Sequence, residues 1–328
     1  MRYRKLGRTN LNISEIAFGG GRSGGLLIDA TENEKEKALE IAKKGGINWI
    51  DAAPQYGNGA SEEALGRHLP NFRNHFQIST KVRIEKSSNT PIKEQIRESF
   101  AASQKRLGLE QITLLQLHNR IANDDDPRSL TVADVLGPQG VAEALEEIKN
   151  EGLASFIGIT ALGDNIPSIE VIKSGRFDAA QIYYNMLNPS ASRETMPSAW
   201  RGYDATGLFN ACNEQNIGIL AIRIFAAGYL ASQQETGRES ILTTDTSSEE
   251  ETRMANIIFR EFQRSYGPIS QLAVRFCLSN PTISSVIIGS AEPSHVAEAI
   301  SAMETAPLPR PFFERLEELY QSNFLQQI

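Results

Sequence analysis

Short apolar runs recur along the chain, and most are followed by a longer stretch with the spacing of an amphipathic helix. Ile16-Ala17-Phe18, Ile47 to Ile50, Phe76 to Val82, Ile112 to His118, Ala154 to Thr160, Ala179 to Tyr183, Ile217 to Ile222 and Ser285 to Ile288 read as strands. Helices are predicted over Glu32 to Lys44 with Thr31 as cap, Ser61 to His68, Pro91 to Leu107 closed by Gly108, Val141 to Asn150, Ile166 to Ser174 and Gly207 to Gln215. Further helices are predicted over Glu249 to Ser265, Ser270 to Ser279, Pro293 to Met303 and Pro311 to Phe324. Before the first run, Tyr3 to Ser14 alternates around a Gly/Asn turn and predicts a β-hairpin. Asn119 to Gln139, Asn185 to Tyr203 and Gln233 to Ser248 read as long polar loops. Strands alternating with helices, with no later hairpin or linker, favour a single α/β domain over 1–328, a (β/α)8 TIM barrel, over a doubly wound sheet. The chemistry of such a barrel lies at the C-terminal strand ends.

Composition narrows the partners. A chain of 328 residues, 40% hydrophobic and 22% charged, suits a globular protein, and its net charge of -7 argues against nucleic acid. No run approaches the roughly 18 apolar residues of a membrane span, so no membrane partner is expected. Cys212 and Cys277 lie in helix-like surroundings and read as buried small hydrophobes, which makes a reducing cytoplasmic setting the expectation.

Three ionisable residues fall on successive strand ends: Asp51, Lys81 and His118, with Tyr56 on the loop after Asp51. Each alone has an ordinary explanation as a cap or a hydrogen-bonded structural residue. Adjacent strands lie about 4.8 Å apart, so together these side chains should converge. Asp51 would then balance the charge of Lys81, and the ammonium would lower the Tyr56 pKa from about 10. Tyr56 becomes a general acid or base, and His118 can donate to a carbonyl oxygen. None of these groups supplies hydride, so carbonyl reduction would need a cofactor. Gly19 to Gly25 lacks the spacing of a dinucleotide-binding fingerprint and reads as a loop allowing close approach of a ligand. A Schiff-base aldolase is disfavoured because Asp51 should keep Lys81 charged, and a metal hydrolase because the strand ends lack its ligands; no metal is expected.

Tyr3-Arg4-Lys5-Leu6-Gly7-Arg8-Thr9, Ile50-Asp51-Ala52-Ala53 with Tyr56-Gly57 and Ser61-Glu62, Thr80-Lys81, Leu117-His118, and Gln181 with Tyr184-Asn185 resemble the aldo-keto reductase superfamily over nearly the whole chain. The resemblance implies an NAD(P)-dependent oxidoreductase interconverting a small carbonyl compound and an alcohol. Asp51, Tyr56, Lys81 and His118 would be its catalytic tetrad. It further implies cofactor contacts from Gly21, Arg22, Asp51, Thr160, Gln181, Arg223, Phe225, Gly289, Ser290, His295 and Glu298. Where relatives carry Ser-Asn this chain has Thr160-Ala161, and where Tyr-Ser-Pro-Leu is common it has Ile222-Arg223-Ile224-Phe225. Gly289 and His295 stand where NADP-preferring relatives often have Lys and Arg, so the cofactor is NADP or NAD. The same departure invites comparison with sugar dehydrogenases working oxidatively, and a dinucleotide-sensing, non-catalytic subunit is the remaining reading. Asn119, Tyr184 and Trp200, with Arg120, Tyr203 and Tyr229 beside them, are candidate substrate contacts, in a monomer or small homo-oligomer.

Overall fold

The computed structural model describes residues 1–72, 75–124, 126–232 and 246–325. The eight barrel strands are β1 (Ile16–Gly19), β2 (Trp49–Asp51), β3 (Gln77–Val82), β4 (Ile112–Leu117), β5 (Ala154–Thr160), β6 (Ala179–Tyr183), β7 (Gly218–Ile222) and β8 (Ile283–Gly289). They pair in parallel and in sequence order, and β8 closes onto β1 through Val286↔Ile16 to Gly289↔Gly19. Each predicted run therefore holds a strand, with boundaries moved by a residue or two. Strands enclosed on both faces need continuous apolar sequence, and that is the signal these runs carried.

The hairpin Tyr3–Lys5 with Asn12–Ser14 is antiparallel and lies at the other end from the strand C-termini. Leu6 and Ile13, fully buried, pack with Ala17, Trp49, Leu114, Ala179 and Leu220 as a plug in the barrel floor. Each such Leu or Ile contributes roughly 1.5–3 kcal/mol on burial. The Arg4 guanidinium fastens the plug by donating to the carbonyls of Leu278, Asn280 and Ile283. A second, larger apolar layer fills the space between strands and helices. The helix Glu32–Lys44 begins at Thr31, the predicted cap, and the structure adds a capping box with Glu34.

The connection after β4 differs from its prediction. Arg120–Ile121 pairs in parallel with Ser129–Leu130, and a short helix, Val132–Leu136, follows, capped by Thr131 with Asp134. These elements are too short to show a period, and tertiary packing of Ile121, Leu130 and Val135, all buried, decides them. The second loop holds a 3-10 turn, Ser190–Ser192, and an isolated antiparallel bridge between Asn185 and Asn188. Most of the predicted loop Gln233 to Ser248 lies outside the described residues. Among the described residues no helix is long and apolar enough to cross a membrane.

Candidate active site

Register sets the site. Asp51 ends β2 opposite Ser79 of β3, and Lys81 stands two residues beyond Ser79, on the same face of β3 and opposite Gln116 of β4. From there Lys81, fully buried, reaches back with Nζ 2.6 Å from Asp51 Oδ2, 2.8 Å from the Ala52 carbonyl and 3.1 Å from the Tyr56 hydroxyl. All three ammonium hydrogens thus have an acceptor. The other carboxylate oxygen, Asp51 Oδ1, accepts from Ser79 Oγ at 2.7 Å, Gln181 Nε2 at 2.6 Å and Gln116 Nε2 at 3.3 Å. Trp49 extends the chain by donating from its indole nitrogen to Ser79 Oγ at 3.2 Å. Beneath, Glu62 is wholly buried, accepting from Thr80 Oγ1 at 2.5 Å and from Arg106 at 2.7 Å.

His118 follows β4, its backbone N–H held by the Val82 carbonyl at 2.8 Å. Its ring stands edge-on to Tyr56, with centroids 5.8 Å apart, and Nδ1 lies 2.9 Å from Gln55 Oε1. The structure thus assembles Asp51, Tyr56, Lys81 and His118 in one place.

The electrostatics correct one expectation. Burial pushes the Tyr56 phenol above its ordinary value; the Lys81 ammonium pulls it down, but not far enough. Lys81 was expected to win that contest. At this degree of enclosure desolvation is the larger effect, so the resting phenol is protonated and can serve as a proton donor. Burial also pulls Lys81 down, yet Asp51 and Tyr56 outweigh it and the ammonium's pKa is raised. His118 is held well below the ordinary imidazole value, by burial first and then by Lys81 and Arg83, so the ring is neutral.

Asp51, Tyr56 and His118 face a cavity of about 620 Å³ that opens at the C-terminal strand ends. Its wall also includes Gly21, Arg22, Thr160, Gln181, Arg223, Phe225, Gly289, His295 and Glu298, all anticipated from sequence. Gly21 matters through what it lacks: a Cβ there would sit 3.4 Å from Tyr56 Cζ and narrow access to the phenol. After β7 the backbone turns sharply, with Arg223, Ala226 and Ala227 all at positive φ. Side chains disfavour that region, and its use here brings Arg223 to the wall. Arg223 is itself partly desolvated, which pulls its pKa down, with Tyr183, Glu251 and Tyr56 acting against the fall.

Seven anticipated residues are not brought to this wall: Ser290, Asn119, Tyr184 and Trp200, and with them Arg120, Tyr203 and Tyr229. Ser290 is 2% exposed and its hydroxyl is buried away from the cavity, while its carbonyl accepts from the Leu26 N–H. Asn119 turns inward: its amide holds both the N–H and the carbonyl of Ile84, at 2.7 and 2.8 Å, and the carbonyl of Arg128 at 3.1 Å. Tyr184 is stacked on Phe276, centroids 5.3 Å apart, in the layer between strands and helices. Trp200 packs edge-on to Tyr320 at 6.3 Å. Strand parity explains Tyr184, since successive residues face opposite sides; Asn119 is claimed by unpaired loop backbone groups.

Ser79, Gln116 and Gln55 were missed. Ser79 and Gln116 had a signal, being polar residues at interior-facing positions of apolar strands; Gln55 had none.

A model of the aldo/keto reductase family matches residues 15–321. The chain belongs to that family. Aldo/keto reductases are oxidoreductases that typically use NAD(P). The chain is 27% identical to D-threo-aldose 1-dehydrogenase of a Pseudomonas species, over 88% of each chain. It is 26% identical to L-galactose dehydrogenase of Arabidopsis thaliana, over 92% of this chain and 87% of that one. In structure it resembles the holo form of an aldo-keto reductase from Bacillus halodurans, with a TM-score of 0.75 at 22% identity, over 98% and 97% of the two chains.

Proposed function

We propose that this aldo/keto reductase interconverts a small aldehyde or ketone and the corresponding alcohol, with Tyr56 as general acid in reduction and general base in oxidation. The observation that carries the reading is Lys81 Nζ between Asp51 Oδ2 and the Tyr56 hydroxyl, directly beneath a ligand-sized cavity.

The residues fit a nicotinamide dinucleotide. Gly21 keeps the space over the phenol clear, Thr160 and Gln181 offer polar groups beside it, and Arg22 and Arg223 place cationic side chains on the wall for a pyrophosphate. Ser270 and His295, in the first turns of two helices, and Glu298, a turn further along the second, form the wall where the adenosine half would lie. When bound, such a cofactor supplies or takes up the hydride.

The chain's own part is proton handling and orientation. In reduction the neutral phenol of Tyr56 gives its proton to the nascent alkoxide, and the nearby ammonium of Lys81 stabilises the phenolate left behind. In oxidation that phenolate takes the hydroxyl proton. His118 positions the reacting oxygen. Asp51, saturated by Lys81, Ser79, Gln116 and Gln181, holds Lys81 in place.

For the adenosine end we propose NAD over NADP. Glu298 is hydrogen-bonded by Ser270 Oγ, and His295 Nδ1 accepts from the Ala291 N–H at 3.3 Å, which leaves a carboxylate where a 2′-phosphate would need cations. The D-threo-aldose and L-galactose dehydrogenases among its relatives support an aldose-type substrate worked on in the oxidative direction.

Titrating the protein separately with NADH and NADPH, following tryptophan fluorescence and calorimetry, tests this. Tighter binding of NADH than of NADPH is the expected outcome, and equal or tighter binding of NADPH would overturn the NAD preference. Binding of neither would overturn the oxidoreductase reading. Tyr56→Phe should abolish turnover, a loss of at least about a hundredfold, and keep cofactor affinity.

A further inference from the structure

Gln55 has no role in the chemistry above, yet its carboxamide is hydrogen-bonded to the His118 ring. Its place follows from the turn Ala53-Pro54-Gln55-Tyr56, closed by the Tyr56 N–H on the Ala53 carbonyl at 3.1 Å. Proline presets the second position of such a turn. Gln55 comes third and crosses from the loop after β2 to the end of β4, with Oε1 2.9 Å from His118 Nδ1. Since the His118 backbone is already fixed by Val82, the remaining freedom is rotation of the ring and the choice of protonated nitrogen.

We propose that Gln55 is a positioning residue that sets the orientation of His118 and its tautomer in the ligand-free protein, the carboxamide turning over when a substrate carbonyl binds; its part in turnover rests on the oxidoreductase reading above. With a carbonyl oxygen opposite Nδ1, the neutral ring carries its proton there, and Nε2 is an acceptor. An acceptor suits a substrate hydroxyl, which can donate to it. A substrate carbonyl needs the other tautomer, with the proton on Nε2, and Nδ1 must then receive a donor. Turning the carboxamide over supplies it. A carboxamide serves both tautomers, whereas a carboxylate serves only Nδ1–H and a thioether neither. Gln55 thus lets one histidine meet both oxidation states of the substrate.

The test uses full-length protein labelled with 15N-histidine, free of ligands. The His118 ring nitrogens are assigned by their loss in His118→Gln. The wild type should show Nδ1 protonated and Nε2 bare. Gln55→Met should shift the population toward Nε2–H, and Gln55→Glu should restore Nδ1–H. In turnover, Gln55→Met should lower kcat roughly tenfold, about one hydrogen bond's worth, with NADH and NADPH affinities unchanged. Gln55→Glu should move the acid limb of the pH–rate profile upward. A carboxylate favours imidazolium against the opposing Lys81 and Arg83, with Tyr56 the other titratable group at the ring. A wild-type ring protonated on Nε2, or identical spectra for wild type and Gln55→Met, would overturn the proposal. The spectra need no turnover, so an inactive protein would refute the proposed function without touching this test.

Discussion

Removing Lys81 and Asp51 singly and together measures whether the site is built around one buried ion pair. At 2.6 Å and an effective dielectric near 20, the gross attraction is about 6 kcal/mol. Most of that offsets the desolvation of two enclosed ions, so the pair adds little net stability while breaking it is costly. Lys81→Met leaves a buried carboxylate that still accepts from Ser79, Gln116 and Gln181, so its cost should sit near the low end, about 3 kcal/mol. Asp51→Asn leaves a buried ammonium with neutral acceptors alone, among them the Ala52 carbonyl and the Tyr56 hydroxyl, and no counter-charge, and should cost about 4–5 kcal/mol. The double variant holds no unbalanced charge and loses mainly hydrogen bonds, about 2–3 kcal/mol. Its cost should therefore fall about 4–6 kcal/mol short of the sum of the singles. Urea unfolding by intrinsic fluorescence gives each value, and turnover should be absent in all three. If the costs add within about 0.5 kcal/mol, the pair is not the unit described here.

Two other outcomes follow from the geometry. His118 has a folded-state pKa below its unfolded value, so beneath about pH 6.5 the unfolded chain binds a proton that the native ring refuses, and stability falls as pH drops. Urea midpoints between pH 8 and pH 5 should fall more steeply for the wild type than for His118→Gln; parallel slopes would contradict this. Asn119→Ala should cost about 2–3 kcal/mol through the lost Ile84 and Arg128 bonds while kcat changes less than about twofold; a catalytic loss in stable protein would return Asn119 to the substrate site.

The barrel was legible because its signal is local and repeated. Each strand needs only a short apolar run, each helix a period and a cap such as Thr31, and their alternation admits few topologies. Asp51, Lys81 and His118 were legible for a related reason: parallel strands in sequence order turn successive strand ends into neighbours. The short pair Arg120–Ile121 with Ser129–Leu130 was not legible, since two residues carry no period.

The sequence by itself therefore determined the barrel, the placement of a candidate site at the strand ends and the identity of the four residues assembled there. Tertiary structure decided what those residues are to one another. Asn119 and Tyr184 are polar or aromatic residues beside the site, and only register and unpaired backbone show that one pins loops and the other packs against helices. The direction of the Tyr56 shift depended on how completely the barrel encloses the phenol, a sum over many distant segments. Gln55 meets His118 across 63 positions of chain, a contact that exists only once β2, β3 and β4 stand side by side.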